Sequence, residues 1–233
     1  MSGTAGERRL FGEGPLSRIT AFVYTLLAVE GLLVLVLAPS LVVLTFLARD
    51  VSNLPLVALA AVPVGPALVG ALTALRRPRD LGDLRPAAGF VHGLATGTGP
   101  VLRLWVPALV FLTVLGIDLT HLDAAGVPRA WAVAMVALLV VTVVWALLAV
   151  VLVAVFSFRT RDVARLAGYA VLRAPASASG VLALVVVAVA VVVRGSEVAL
   201  LLLGSVFCLL LLATCRPMIE LVEREFVEEP PGQ

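Results

Sequence analysis

Residues 131–156 read WAVAMVALLVVTVVWALLAVVLVAVF. Not one of these positions carries a charge, and Thr142 is the only hydroxyl among them. About 20 apolar residues in helical form cross the ~30 Å hydrocarbon layer of a bilayer, so this run is long enough to span it. The rest of the chain follows the same pattern. Of its 233 residues 61% are hydrophobic and 14% charged, with a mean hydropathy of +1.13. Soluble domains are nearer 45–50% apolar and about 25% charged. A chain this poor in polar residues cannot cover its apolar surface in water, which points to lipid as part of its solvent.

Working outward from 131–156, five more apolar segments are expected to span: about 20–47, 54–75, 100–117, 178–193 and 198–215. Pro39 is the expected bending point of the first. The stretch VLALVVVAVAVVV (181–193) would suggest a strand in water. In lipid each backbone group must bond within its own segment, so it reads as helix. No segment alternates apolar and polar residues as barrel strands do. The expected fold is therefore all-α: a polytopic membrane protein, a bundle of six transmembrane helices with an amphipathic cytoplasmic interfacial helix. Residues 1–19 form a polar cytoplasmic lead, 20–215 the membrane domain and 216–233 a cytoplasmic acidic tail. The first apolar run is too long for a signal-peptide core.

Arginines set the expected direction of threading. The N-terminal lead, the second-to-third connection with Arg103, the fourth-to-fifth connection and the C-terminal tail hold fourteen. The alternate connections hold Arg49, Arg129 and Arg194. By the positive-inside rule both termini are expected in the cytoplasm, at the cell membrane. Within RTRDVARLAGYAVLR (159–173), Arg161, Arg165, Tyr169 and Arg173 recur every four residues. Val163, Leu166, Ala167, Ala170 and Val171 fill the other side, a pattern that suits a basic helix lying on the inner leaflet. AGFVHGLATGTGPVLRL (88–104) weakly echoes AGYAVLRAPASASGVLAL (167–184), as parallel internal copies would.

Chemistry-bearing residues are few. Glu30 lies inside the first span, where a charged carboxylate costs about 2.5–3.5 kcal/mol and is expected to face the bundle interior. It is expected to be neutral there or paired, and Arg103 near the inner end of the third span is the expected partner. In VPVGPALVG (62–70), Pro63, Gly65 and Pro66 mark a candidate broken helix. Prolines free carbonyls one turn back, which can coordinate a cation or substrate or can simply mark a kink. Asp118, His121 and Asp123 crowd one external turn, read as solvated loop with Trp131 as interface anchor. His92 and the GTGP of 97–100 are read as cytoplasmic loop. Cys208 and Cys215 stand about 10 Å apart along one helix, too far to bridge. No nucleophile elbow, paired metal ligands or phosphate-binding loop appears, so neither an enzyme nor a cofactor nor a nucleic-acid partner is expected.

Three stretches together resemble the YesL-like family of bacterial integral membrane proteins: LPLVALAAVPVGPALVGALTALRR (54–77), LRPAAGFVHG (84–93) and FSFRTRDVARLAGYAVLRAP (156–175). The third ends in the Arg173-Ala174-Pro175 pattern typical of that family. The resemblance covers about residues 10–222. The Asn and Trp frequent in the family's first span are absent here, where Glu30 lies instead. The resemblance implies a polytopic membrane protein, sometimes encoded beside carbohydrate-uptake systems and without established biochemistry, and it brings no catalytic residues. The expected function is an accessory or regulatory component of a membrane transport system, partnered by the bilayer and by a permease or a second copy of the chain. The competing expectation is a small secondary transporter centred on Glu30 and the broken second helix.

Overall fold

The computed structural model describes residues 15–48, 50–76, 85–122, 128–194 and 197–227, and these are helical with no strand among them. In chain order the helices are α1 (Pro15–Phe46), α2 (Leu54–Ala60), α3 (Val64–Arg76), α4 (Pro86–His121), α5 (Arg129–Val155), α6 (Thr160–Arg173), α7 (Pro175–Arg194), α8 (Glu197–Leu201), α9 (Gly204–Thr214) and α10 (Arg216–Val222). Five stretches are long and apolar enough to cross a bilayer: α1 from Ile19, Val51–Arg76, α4, α5 and α7. A sixth crossing is reached if α9 and the helix after it, which meet at a 48° bend, count as one. The chain is an all-α, multi-pass membrane bundle.

The surface agrees with that reading. Leu27, Leu35, Phe46, Trp131, Val133 and Val193 all point outward, exposed. In water such a surface would drive aggregation; in hydrocarbon it costs nothing. The core runs through Val29 and Leu33 of α1, Leu72 of α3, Phe90 and Val101 of α4, and Leu148–Leu152 of α5.

In three places the structure departs from the sequence reading. The third crossing does not begin near residue 100, since α4 starts at Pro86 and runs unbroken for 36 residues, about 54 Å. The glycine- and threonine-rich stretch 89–99 resembles a loop by helix propensity, but close packing overrides propensity here. Gly89, Gly93 and Gly97 recur every fourth residue and are all buried, and Gly70 of α3 lies opposite them. Small residues at that spacing let two backbones approach closely. The sixth crossing, expected over about 198–215, is not one helix: α8 and α9 are separate, and the stretch long enough to span is α9 with the helix after it. Finally, the two echoing segments differ in shape. Residues 88–104 lie within one helix, whereas 167–184 bend from α6 into α7 at Ala174-Pro175.

Helix α6 is amphipathic as expected, but its apolar stripe is spent on protein. Val163, Leu166, Ala167 and Ala170 are buried, and the Trp145 indole N–H of α5 donates to the Ala164 carbonyl at 3.1 Å. Arg161, Arg165 and Arg173 remain exposed, with Leu172 81% exposed beside them. The C-terminal helix gathers on this same side of the bundle. Met218 and Val222 are buried, the Met218 N–H donates to Ser177 Oγ at 3.2 Å, and Tyr169 OH donates to Glu225 Oε2 at 3.2 Å. Arg76 closes the end of α3 by donating to the Val155 carbonyl and facing Glu223 at 3.7 Å. Both groups of that ion pair are exposed, so it adds little to stability.

Candidate functional site

The site begins with two helix breaks. In the second crossing, the prolines at 63 and 66 lack the amide protons that would bond one turn back, and the chain turns at residues 61–63 between α2 and α3. The Ala61 carbonyl accepts the Trp105 indole N–H at 3.0 Å, as well as the Val64 N–H at 3.1 Å. Gly65 is what admits the ring: a Cβ there would stand 2.8 Å from Trp105 Cγ. The Pro63-Gly65-Pro66 segment therefore holds an aromatic side chain of α4 against its break. Replacing Trp105 by Phe removes the donor and keeps a smaller aromatic ring in its place. We expect a loss of about 0.5–1.5 kcal/mol, read by thermal unfolding in detergent, since one hydrogen bond goes while Ala61 keeps its second partner.

A second helix break lies at Leu202-Leu203, between α8 and α9, just ahead of the bent pair that makes the sixth crossing. The first turn of any helix leaves amide protons without partners inside the helix. Glu30 answers this from the neighbouring helix α1, with Ser205 N–H donating to its Oε2 at 2.7 Å. A capping acceptor normally lies two or three residues back from the amide it serves; here it is 175 positions away. A carboxyl oxygen at a helix N-terminus also meets the positive end of the helix dipole. Gly204 packs closely here: a Cβ there would lie 3.1 Å from Leu33 Cδ1, and in ordinary contact at 3.6 Å from Glu30 Oε1. Oε1 itself is shielded from solvent and has no hydrogen-bond partner among the described residues.

The expected partnership of Glu30 with Arg103 does not form, because Arg103 is on an exposed face of α4. The buried positions of that helix are Gly97, Val101, Leu104 and Ala108, and Arg103 is turned away from them. His92 is also on α4, exposed. Asp118 and His121 occupy the last turn of α4, where His121 Nδ1 lies 2.9 Å from the Ile117 carbonyl; Asp123 lies outside the described residues. Cys208 and Cys215 are free and buried.

Beside Glu30 lies a cavity of about 440 Å³ between α1, α2–α3, α7 and α8–α9. Leu37, Leu41, Val185 and Phe207 form much of its wall, and Gly204 and Cys208 border it on the Glu30 side. Sequence reasoning missed this space because its lining is apolar residues that each look like lipid-facing or core positions. These features define a multi-pass α-helical membrane protein with a partly buried carboxyl group set between helices. No family model, curated protein or solved structure matches the chain.

Proposed function

We propose that this chain is an accessory or regulatory subunit of a transport system in the cell membrane, with carbohydrate uptake as the favoured cargo class. One observation carries the reading: the described interior offers no polar route across the bundle. A sugar path needs several hydrogen-bonding side chains along it, whereas the cavity is walled almost entirely by apolar residues, with Ser40 the single hydroxyl among those lining it. The Ala61 carbonyl at the break is already taken by Trp105 and Val64. The resemblance of residues 54–77, 84–93 and 156–175 to YesL-like proteins supports the same reading, and the exposed arginines of α6 suit a cytoplasmic partner or anionic headgroups. The arginine asymmetry supports both termini in the cytoplasm.

The test is purification of the tagged chain in mild detergent, followed by reconstitution. We expect a carbohydrate permease to co-purify in stoichiometric amount, and vesicles holding this chain alone to take up no sugar. Uptake by the chain alone, or a pure preparation with no permease retained, contradicts the proposal. A second reading, a small secondary transporter, draws on the partnerless Oε1 of Glu30. Under it, uptake by the chain alone disappears in Glu30→Gln.

A further inference from the structure

Charged side chains within membrane helices almost always turn inward, because a guanidinium set among lipid chains is expensive. Arg103 does the opposite. It is exposed on α4, on the side away from Val101 and Leu104, with no hydrogen bond or ion pair among the described residues. The other described arginines lie at or near helix ends, on α6 or in the C-terminal helices. Glu30 is engaged with the Ser205 amide, and Asp118 stands about 22 Å further along α4.

The depth of Arg103 follows from its neighbours. Asp118 and His121 mark one polar end of α4, and the ~20 residues that cross hydrocarbon reach back from Ile117 to about residue 98. The packing agrees: Gly97 lies against Val69 and Val153, and Val153 is two residues from the end of α5, with Arg159 and Arg161 soon after. Arg103 therefore starts about 7 Å inside the hydrocarbon. Helical side chains lean towards the helix N-terminus, and arginine's long stem brings its guanidinium to the headgroup boundary, beside Gly99. The space there is open, since a Cβ on Gly99 would meet nothing within 4 Å. Along this stripe the exposed residues change character at Arg103. His92, Thr96 and Gly99 precede it, whereas Val106, Val110 and Val114 follow. A phospholipid presents its headgroup and its chains in the same order.

A guanidinium matches a phosphate with two parallel hydrogen bonds. A second copy meeting this face on a two-fold axis would instead set Arg103 against Arg103, like charge on like. A free phosphate would bring no chain to cover the valines. We propose that the Arg103 face of α4 is a binding site for an anionic phospholipid, its phosphate on the guanidinium beside Gly99 and an acyl chain along Val106, Val110 and Val114. The net negative charge favours such a lipid over a zwitterionic one, whose own ammonium offsets its phosphate. The site does not rest on the accessory reading, since a subunit and a transporter can each hold a lipid.

The test places the full chain in phosphatidylcholine nanodiscs with a bimane label on Val106→Cys; Cys208 and Cys215 are buried and stay unlabelled. Phosphatidylglycerol with brominated chains is doped in, and its quenching of the label is compared with that by brominated phosphatidylcholine at the same fraction. A preference of about fivefold for phosphatidylglycerol is expected, the worth of one basic residue beside anionic headgroups. Arg103→Gln should abolish the preference and, being an exposed change, leave the gel-filtration profile as it was. A label on Val141→Cys, exposed on α5, should show no preference. Equal quenching by the two lipids at Val106→Cys overturns the proposal and leaves Arg103 to a carboxylate on a partner helix. A preference that survives Arg103→Gln, that is as large at Val141→Cys, or that glycerol 3-phosphate in solution removes contradicts it too.

Discussion

Gly93→Leu is expected to abolish assembly of the bundle. A Cβ at residue 93 would already stand 2.6 Å from Thr73 Oγ1, 2.7 Å from Thr73 Cβ and 3.1 Å from Gly70 Cα. The last two are too close to the α3 backbone to be relieved by a rotamer change. The helices would have to separate, and the contact between α3 and α4 is the one on which Leu72, Phe90 and Val101 all depend. Overpacking of this kind typically costs about 1–3 kcal/mol, and backbone separation puts this case at or above the upper end. Gly99 supplies the control within the same helix. It is exposed with open space around it, so Gly99→Ala should be neutral or stabilising by up to about 1 kcal/mol. Fluorescence-detected gel filtration after a temperature ramp separates the two: an early, aggregated Gly93→Leu against a Gly99→Ala at or above wild type.

Glu30→Leu has the next largest expected effect. Leucine keeps bulk at this position but removes the acceptor of the Ser205 amide proton, leaving that donor unpaired in an apolar surround. Stranding a donor in this way costs about 1–3 kcal/mol. Glu30→Gln keeps a carbonyl oxygen in reach of the amide and is expected to lose no more than about 1 kcal/mol. A reverse order, with glutamine worse than leucine, would mean that the charge matters and the cap does not. Unfolding by titrated denaturing detergent reads both.

How far the sequence alone reaches can be judged from particular residues. The crossings were legible because lipid demands long uninterrupted apolar helices, as at 131–156, and that demand is written in composition. The break at Pro63 and Pro66 was legible for an equally local reason, the missing amide protons. Its use was not, because Trp105 lies 44 positions downstream and nothing near Ala61 announces an indole. The extension of α4 back to Pro86 was concealed by glycine's low helix propensity. The four-residue spacing of Gly89, Gly93 and Gly97 was the signal that could have revealed it. Arg103 was assigned to Glu30 by charge and depth; helical phase against Val101 and Leu104 would have turned it outward. The true partner of Glu30 is a backbone amide at a break that no proline marks, with Gly204-Ser205 as the only local hint in LLLLGSVFC (200–208). A main-chain partner leaves no side-chain pattern to read.

Both the helix break ahead of α9 and its closure by Glu30 can be examined in one spectrum. The chain is labelled with ¹⁵N-serine, placed in nanodiscs and observed by amide NMR, with Ser205→Ala assigning the resonance. A short hydrogen bond to a carboxyl oxygen should move the Ser205 proton well downfield, and Glu30→Leu should return it upfield while the other serines stay in place. A Ser205 resonance that ignores the substitution would show that Glu30 does not cap this helix.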